Sequence, residues 1–305
     1  MTLGELAVDE VRRQLAKGGI SIRMRPIVVR VRSPLRTFAS QLHALYRDYE
    51  LADVLGYADA DVRVVPVPGV RPLAAPEVQF VVDGIAPYDP FPLAHALPMF
   101  EWGVNGVFVQ RMHTHLLLHA AVVERNGRAV LLPAWPGSGK STLAASLAVR
   151  GWRYLSDEFG VIDLERRRVL PFVRPAGLKN ASIGVMRAFA PDAYIGPVFA
   201  GTRKGDVAHF SAPAENVRRG GDAAPITAIV FPDFQADEPL DVRPLEASAT
   251  FLKLAGNAFN YEVVGARAFL AVAAIVRSAS SHILRYADLA GAHRALDEIT
   301  AGGGA

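Results

Sequence analysis

The residues Trp135-Pro136-Gly137-Ser138-Gly139-Lys140-Ser141-Thr142 are of the types, and in the order, that hold a chain of phosphates. Gly137 and Gly139 let the backbone bring its N–H groups, from Ser138 through Thr142, up to anionic oxygens. Lys140 carries an ammonium that reaches β and γ oxygens, and the Ser141 hydroxyl is a ligand for Mg²⁺. Lysine is otherwise scarce. Lys17, Lys140, Lys179, Lys204 and Lys253 are the only five among 33 basic residues, so a chain that writes Arg almost everywhere keeps the compact ammonium here. Ala134 stands where the usual pattern has its first glycine, and Trp135, preceding Pro136, is biased toward extended backbone.

Asp157 and Glu158 follow one helix and one strand later. The carboxyl end of a neighbouring parallel strand lies at the same sheet edge as a phosphate site, which brings both carboxylates within reach of it; a solvated turn is the alternative. His113, His115 and His119 are spaced closely enough to invite a metal, but no carboxylate cluster accompanies them. A better role exists for His119. The runs Leu116–Glu124 and Arg128–Ala134 flank Asn126-Gly127, the strongest short hairpin signal. With Arg125 and Arg128 bracketing a two-residue turn, His119 falls opposite Ala134, at the mouth of the glycine-rich loop, unless it is simply a packed strand residue. Two cationic loops, Arg174 to Asn180 with Lys179, and Thr202 to Gly205 with Arg203 and Lys204, could hold an acceptor or neutralise a transferring phosphoryl group. Ordinary basic loops would read the same way.

The elements that must position these groups follow from the apolar pattern. Ala129–Leu132 is a short β-like run, and Leu143–Val149 has helical spacing and stops at Gly151. Arg153–Ser156 is a short strand, and strands near Ile226–Phe231 and Ile283–Tyr286 complete a sheet covered by helices. Ahead of residue 108 the chain reads as a small α/β module. Thr2 and Glu5 form a capping box that opens an amphipathic helix, in place of a signal peptide. Gly18-Gly19 stops it, Ile20–Arg32 is strand-like, Leu35–Tyr49 is helical, and Val62–Val67 and Val78–Val82 are β-rich. Arg23, Arg25, Arg30 and Arg32 alternate with apolar residues, as either a face for an acidic partner or a solvated strand would. A proline-rich stretch from Pro87 to Pro98 divides the chain. Residues 1–107 are then an N-terminal module for acceptor or partner binding, and 108–305 the phosphate-handling domain. Ala301 to Ala305 reads as a frayed tail.

With 305 residues, 51% of them hydrophobic, the chain can bury one large core or two modest ones. A net charge of +3, with no run of five like charges, gives no support to a nucleic-acid partner. No apolar stretch of membrane-spanning length occurs. The absence of cysteine removes disulfides and cysteine-ligated zinc. The cytoplasm is the expected compartment, and a homo-oligomer stays open.

Arranged in this order, His119, the Gly-Ser-Gly-Lys-Ser-Thr loop and Asp157-Glu158 resemble the catalytic core of the HPr kinase/phosphorylase family, which is similar in turn to phosphoenolpyruvate carboxykinases. Leu118 to Glu124, Gly151 to Glu158, and Arg174-Pro175 with Leu178-Lys179-Asn180 are similar to the subgroup called HPr-kinase-related kinase A. Glu101-Trp102-Gly103, Thr202 to Gly205 and Phe259-Asn260-Tyr261 extend the likeness over most of the chain. The resemblance implies a serine-directed phosphotransferase in which Asp157 takes the acceptor's hydroxyl proton, assisted by His119. Lys140 would hold the β/γ-phosphates, and Ser141 with Glu158 would hold Mg²⁺. Two departures stand out: Asp-Glu replaces the Asp-Asp of HPr kinases, and their signature stretch after the second carboxylate strand is missing. Neither HPr as acceptor nor the reverse phosphorylase reaction is therefore implied. Related homologues phosphorylate precursor peptides, which makes a peptide or small protein the implied acceptor.

The expectation is an α/β P-loop kinase of the HPr kinase/phosphoenolpyruvate carboxykinase-like type with a small N-terminal α/β module, using ATP and Mg²⁺. The competing expectations are a small-molecule kinase of the same fold and a regulatory module that binds a nucleotide without transferring phosphate.

Overall fold

The computed structural model describes residues 1–53, 56–68, 75–135 and 137–302, and the chain is a mixed α/β protein. The Thr2/Glu5 capping box forms, closing a 3₁₀ turn at Leu3–Glu5 ahead of α1 (Val8–Ala16). Strands β1 (Ile20–Met24) and β2 (Ile27–Arg32) pair antiparallel, so the single strand-like segment expected over Ile20–Arg32 is a hairpin turning at Arg25-Pro26. Proline has no N–H with which to continue a ladder. Helix α2 (Arg36–Leu45) stops short of the expected Tyr49, and Tyr46 and Tyr49 beyond it are buried. With β3 (Ala60–Pro66), β4 (Glu77–Val82) and β5 (Phe91–Pro92) the first sheet has five strands in chain order. Arg25, Arg30 and Arg32 engage Glu50, the Gly56 carbonyl and Asp61.

The proline-rich stretch is itself structured. A 3₁₀ turn, Leu93–His95, leads into α3 (Ala96–Arg111), and the expected division at 107/108 falls inside that helix. Pro98 sits in the first turn, where no intrahelical donor is needed. Phe100 meets Phe38 at 5.5 Å on one side, while Phe108 stacks on Phe172 at 3.9 Å on the other. Helix α3 thus packs both on the first sheet and on the C-terminal part of the chain.

The Asn126-Gly127 hairpin forms in the expected register. Arg125 pairs with Arg128 and Ala120 with Pro133 across β6 (His115–Arg125) and β7 (Arg128–Pro133), with Asn126 at φ 53° and Gly127 at φ 78°. Next come α4 (Lys140–Val149), β8 (Arg153–Ser156), β9 (Phe159–Asp163) and β10 (Arg168–Leu170). A small antiparallel sheet, ordered β11-β13-β12, is built from β11 (Ala176–Lys179), β12 (Phe199–Thr202) and β13 (Gly205–Phe210), with α5 (Ala181–Phe189) between its first two strands. After α6 (Ala214–Arg218) run β14 (Ala224–Phe234), β15 (Asp241–Pro244), α7 (Ala247–Gly256), α8 (Tyr261–Val264), α9 (Ala266–Ser278), β16 (Ser280–Tyr286) and α10 (Leu289–Gly302). Ala301 and Gly302, expected in a frayed tail, finish α10; 303–305 lie outside the described residues.

The large sheet is ordered β10-β9-β6-β7-β14-β16-β15, with β8 also on β6 and β10 also on β14. Strand β14 runs parallel to β7 and β16. Along β6 the side chains alternate between two cores. Leu117, Ala121 and Val123 face the core that holds α4's Leu143 and Leu147, whereas Leu118, Ala120 and Val122 face the one that holds Leu254 of α7 and Val272 of α9. Among the described residues no helix is long and apolar enough to cross a membrane.

Strand β8 is not the immediate neighbour of β7, as the sequence led one to expect. Strand β6 lies between them, antiparallel to both. Two strands antiparallel to one partner run the same way, so the carboxyl ends of β7 and β8 still share an edge.

Candidate functional site

The glycine-rich loop joins the end of β7 to α4. Gly137 (φ 94°) and Gly139 (φ 84°) occupy the left-handed region that favours glycine; Pro136 lies outside the described residues. Gly139 is needed for space as well. A Cβ there would stand 2.5 Å from Tyr286 Oη and 3.3 Å from Phe234 Cβ, at the carboxyl ends of β16 and β14. Helix α4 has no side-chain cap and no acidic residue in its first turn, so its leading N–H groups and the positive end of its dipole face the loop uncompensated. Ser138 Oγ is buried without a hydrogen-bond partner among the described residues. An unpaired buried hydroxyl costs stability, and an anion in the loop would accept from it.

Lys140 is buried, with Nζ 2.6 Å from His119 Nε2. Burial pulls its pKa down, and the neighbouring Glu158 and Asp157 carboxylates only partly offset this. The same His119 nitrogen lies 3.4 Å from Glu158 Oε1. An ammonium can only donate and a carboxylate only accept, so the two compete for one ring nitrogen. Burial pushes Glu158 upward, but hydrogen bonding to His119 and the charge of Lys140 prevail and bring it down to about 2. It is a fixed anion. The ring itself is held from its backbone: His119 N–H donates to the Asn257 carbonyl and Asn257 Nδ2 donates to the His119 carbonyl, both at 2.8 Å, while Phe259 packs 5.3 Å from the imidazole.

Asp157 and Glu158 sit between β8 and β9, which run in line along β6. Ser156 pairs with Val122 and Phe159 with His119, but Tyr154 pairs with Val123, so one residue is bulged out between Tyr154 and Ser156. Where the ladder is interrupted, Ser156 Oγ accepts from the N–H groups of Glu158 (3.2 Å) and Phe159 (3.0 Å). The two carboxylates diverge. Asp157 turns inward and is buried; its Oδ1 accepts from Tyr154 Oη at 3.1 Å and its Oδ2 from Gly177 N–H at 3.0 Å. Burial, and then repulsion by Glu158, raise its pKa, with the Gly177 hydrogen bond and Lys140 opposing.

One cleft is lined by His119, Trp135, Gly137, Ser138, Gly139, Lys140, Ser141, Thr142 and Glu158, and also by Lys179, Ser182 and Lys204. A second cavity shares Ser141, Glu158, Lys179 and Lys204 with it and extends past Asp157 to Glu101, Arg174 and His209. Lys204 Nζ stands 4.8 Å from the Trp102 ring centroid between them. Burial, reinforced by Lys179, lowers its pKa. The structure thus gathers the expected loop residues, His119, Asp157, Glu158, Lys179 and Lys204.

Of the expected residues, Arg174 lines only the second cavity, and Asn180 and Arg203 line neither. The Arg174 guanidinium is buried against the Glu101 carboxylate, Asn105 and the Tyr46 hydroxyl. Asn180 Oδ1 accepts from Asp206 N–H at 3.0 Å and fastens β11 to β13. Arg203 lies over the Phe91 ring at 4.5 Å. Sequence reasoning missed Tyr154 and Gly177, which hold Asp157, and Asn257, which holds His119. A tyrosine three residues before the aspartate and an asparagine distant in sequence give no local signal.

Ser141 and Glu158 are hard oxygen donors on the shared rim of both cavities. That suits Mg²⁺, which takes one or two protein oxygens and completes its shell with phosphate and water. The arrangement offers an anion cradle with an ammonium, a fixed anion for a cation, and a buried carboxylate of raised basicity. No model of a known family matches the chain, and no curated protein matches it either.

Proposed function

We propose that this protein is an ATP-dependent, Mg²⁺-requiring phosphotransferase, a P-loop kinase resembling HPr kinase/phosphorylase, that moves the γ-phosphoryl group to a hydroxyl, with a serine of a peptide or small protein as acceptor. The observation that carries this reading is the division of labour between adjacent carboxylates. Glu158 is an anion beside Lys140 and the glycine-rich loop, while Asp157 is buried, basic and turned toward the second cavity. A module that only bound a nucleotide would have no use for the second.

Ser138, Lys140 and the first N–H groups of α4 bind the phosphates, and Ser141 with Glu158 would hold Mg²⁺, which neutralises charge on the phosphate oxygens. The acceptor hydroxyl enters from the second cavity. As its oxygen bonds to the γ-phosphorus and the bond to the β-phosphate oxygen breaks, its proton passes to Asp157 and ADP leaves. Lys204 and Lys179 face the charge that develops on the transferred group. Formation of ADP from ATP, stimulated by serine-containing peptides and lost in Asp157→Asn, tests the reading. Binding of MgATP with no turnover on any hydroxyl acceptor would turn it toward a regulatory module.

A further inference from the structure

Trp135 is 71% exposed and belongs to neither core, although it lines the cleft of the glycine-rich loop. Its carbonyl accepts from Ser138 N–H at 3.4 Å. Isolated exposed hydrophobic side chains are common on proteins, but this one stands on the rim of a site whose other lining residues, glycines aside, are polar or charged. Ser138, Lys140, Lys179 and Lys204 suit phosphate oxygens. Apart from the His119 imidazole, already engaged by Lys140, Trp135 supplies the only aromatic ring that lines this cleft among the described residues. A nucleotide whose phosphates occupy the polar floor still has a flat, weakly hydrated base to place.

We propose that Trp135 is the base platform, its indole stacking on the purine of the bound nucleotide. This rests on the reading of the cleft as a nucleotide site and adds how the base is held. Stacking needs only a π face and tolerates any purine, so ATP and GTP should bind within a few-fold of each other. Phe234, 46% exposed and packed beside Gly139, is the natural comparator, because it touches the loop but does not line the cleft.

Titration calorimetry with MgATP and with Mg²⁺-tripolyphosphate separates the base from the phosphates. Trp135→Ala should weaken MgATP on the order of tenfold and leave tripolyphosphate unchanged, with Trp135→Phe recovering most of the loss. Equal weakening of both ligands would mean a distorted loop and would overturn the assignment. So would unchanged MgATP affinity, or a loss caused by Phe234→Ala in its place. If the wild-type protein binds tripolyphosphate as tightly as ATP, the platform fails while the phosphate site stands. If it binds neither, the nucleotide reading falls and the platform with it.

Discussion

The two sides of Asp157-Glu158 differ in how their charged groups are engaged. On the loop side the charges are contested: Lys140 and Glu158 share one nitrogen of His119, and Ser138 Oγ has no partner among the described residues. On the far side, Arg174 is enclosed by Glu101, Asn105 and Tyr46, and Tyr154 Oη reaches both Asp157 and the Arg174 carbonyl at 3.1 Å. Burial raises Glu101 and Tyr46, while Arg174 moves upward despite burial because Tyr46 and Glu101 surround it. The front leaves its charges contested; the back closes an ion pair around Arg174, although Arg174 Nε and His209 Nδ1 there are also buried without a partner among the described residues. A buried charge is tolerated only when paired, and the Arg174–Glu101 pair meets that condition without a ligand, whereas Lys140 and Glu158 share a single nitrogen.

The largest effect should come where the two sides meet. Asp157→Asn keeps the side chain's volume but cannot take a proton, so transfer should fall about 10³-fold, within the range for a general base. MgATP affinity by calorimetry should hold; a parallel loss of affinity would place Asp157 with the front. The two buried cations should then separate cleanly. Arg174→Ala strands the Glu101 carboxylate and should cost about 3–5 kcal/mol in denaturant unfolding. Lys140→Ala should leave unfolding near wild type yet abolish thermal stabilisation by MgATP. Similar unfolding curves for both variants would erase the contrast.

Within the front, His119→Ala should slow transfer about 10²-fold with little change in MgATP binding, read from single-turnover rates. Glu158→Gln should instead raise the Mg²⁺ concentration needed for half-maximal activity, seen in a magnesium series. The smallest effect probes the back through pH. Burial, and then Arg174, hold His209 down at about 3, against an ordinary value near 6.5. Below that value the unfolded chain binds a proton that the folded one refuses, so stability falls as pH drops toward 3. Between pH 7 and 5.5 the share of His209 should be about 1 kcal/mol, read as the difference between denaturant titrations of wild type and His209→Gln, because His115, His282 and His293 are lowered by burial as well.

How legible all this was depended on range. The Asn126-Gly127 turn and the period-two pattern around it set the β6–β7 register locally, which placed His119 beside the loop. The loop and α4 were equally plain, because glycine, lysine and the helical spacing fall in one short window. The place of β8 was not, since which strand lies between two others depends on pairings far apart in sequence. The basic loops were illegible for a different reason. Arg174, Lys179, Arg203 and Lys204 look alike in sequence, and only packing decides that Arg174 meets Glu101 while Lys204 meets the cleft. Glu101, surrounded by apolar residues of α3, was the available hint that a buried cation must lie opposite. The α/β class was within reach of the pattern, but the double packing of α3 was not, because a helix apolar on nearly every side does not say how many layers it serves.

The single bulged residue between Tyr154 and Ser156 limits how the chain can vary in length. Upstream of it the strand is anchored by Arg153, which pairs with the Glu124 carboxylate in a buried setting. Downstream it is anchored by β9 against His115–His119. The extra residue lets both anchors hold while Asp157 faces inward. Deleting one residue from Tyr154 to Glu158 would remove the surplus and let the ladder close regularly, with Arg153 still opposite Glu124 and Phe159 still opposite His119. Both anchors could then hold, and what would be lost is the bulged offset between Tyr154 and Asp157 across which the hydroxyl reaches the carboxylate. Substitutions in this stretch trade one interaction at a time, but a deletion here removes the offset itself, whereas the turn at Glu165–Arg167, whose residues are exposed, can lengthen without touching it.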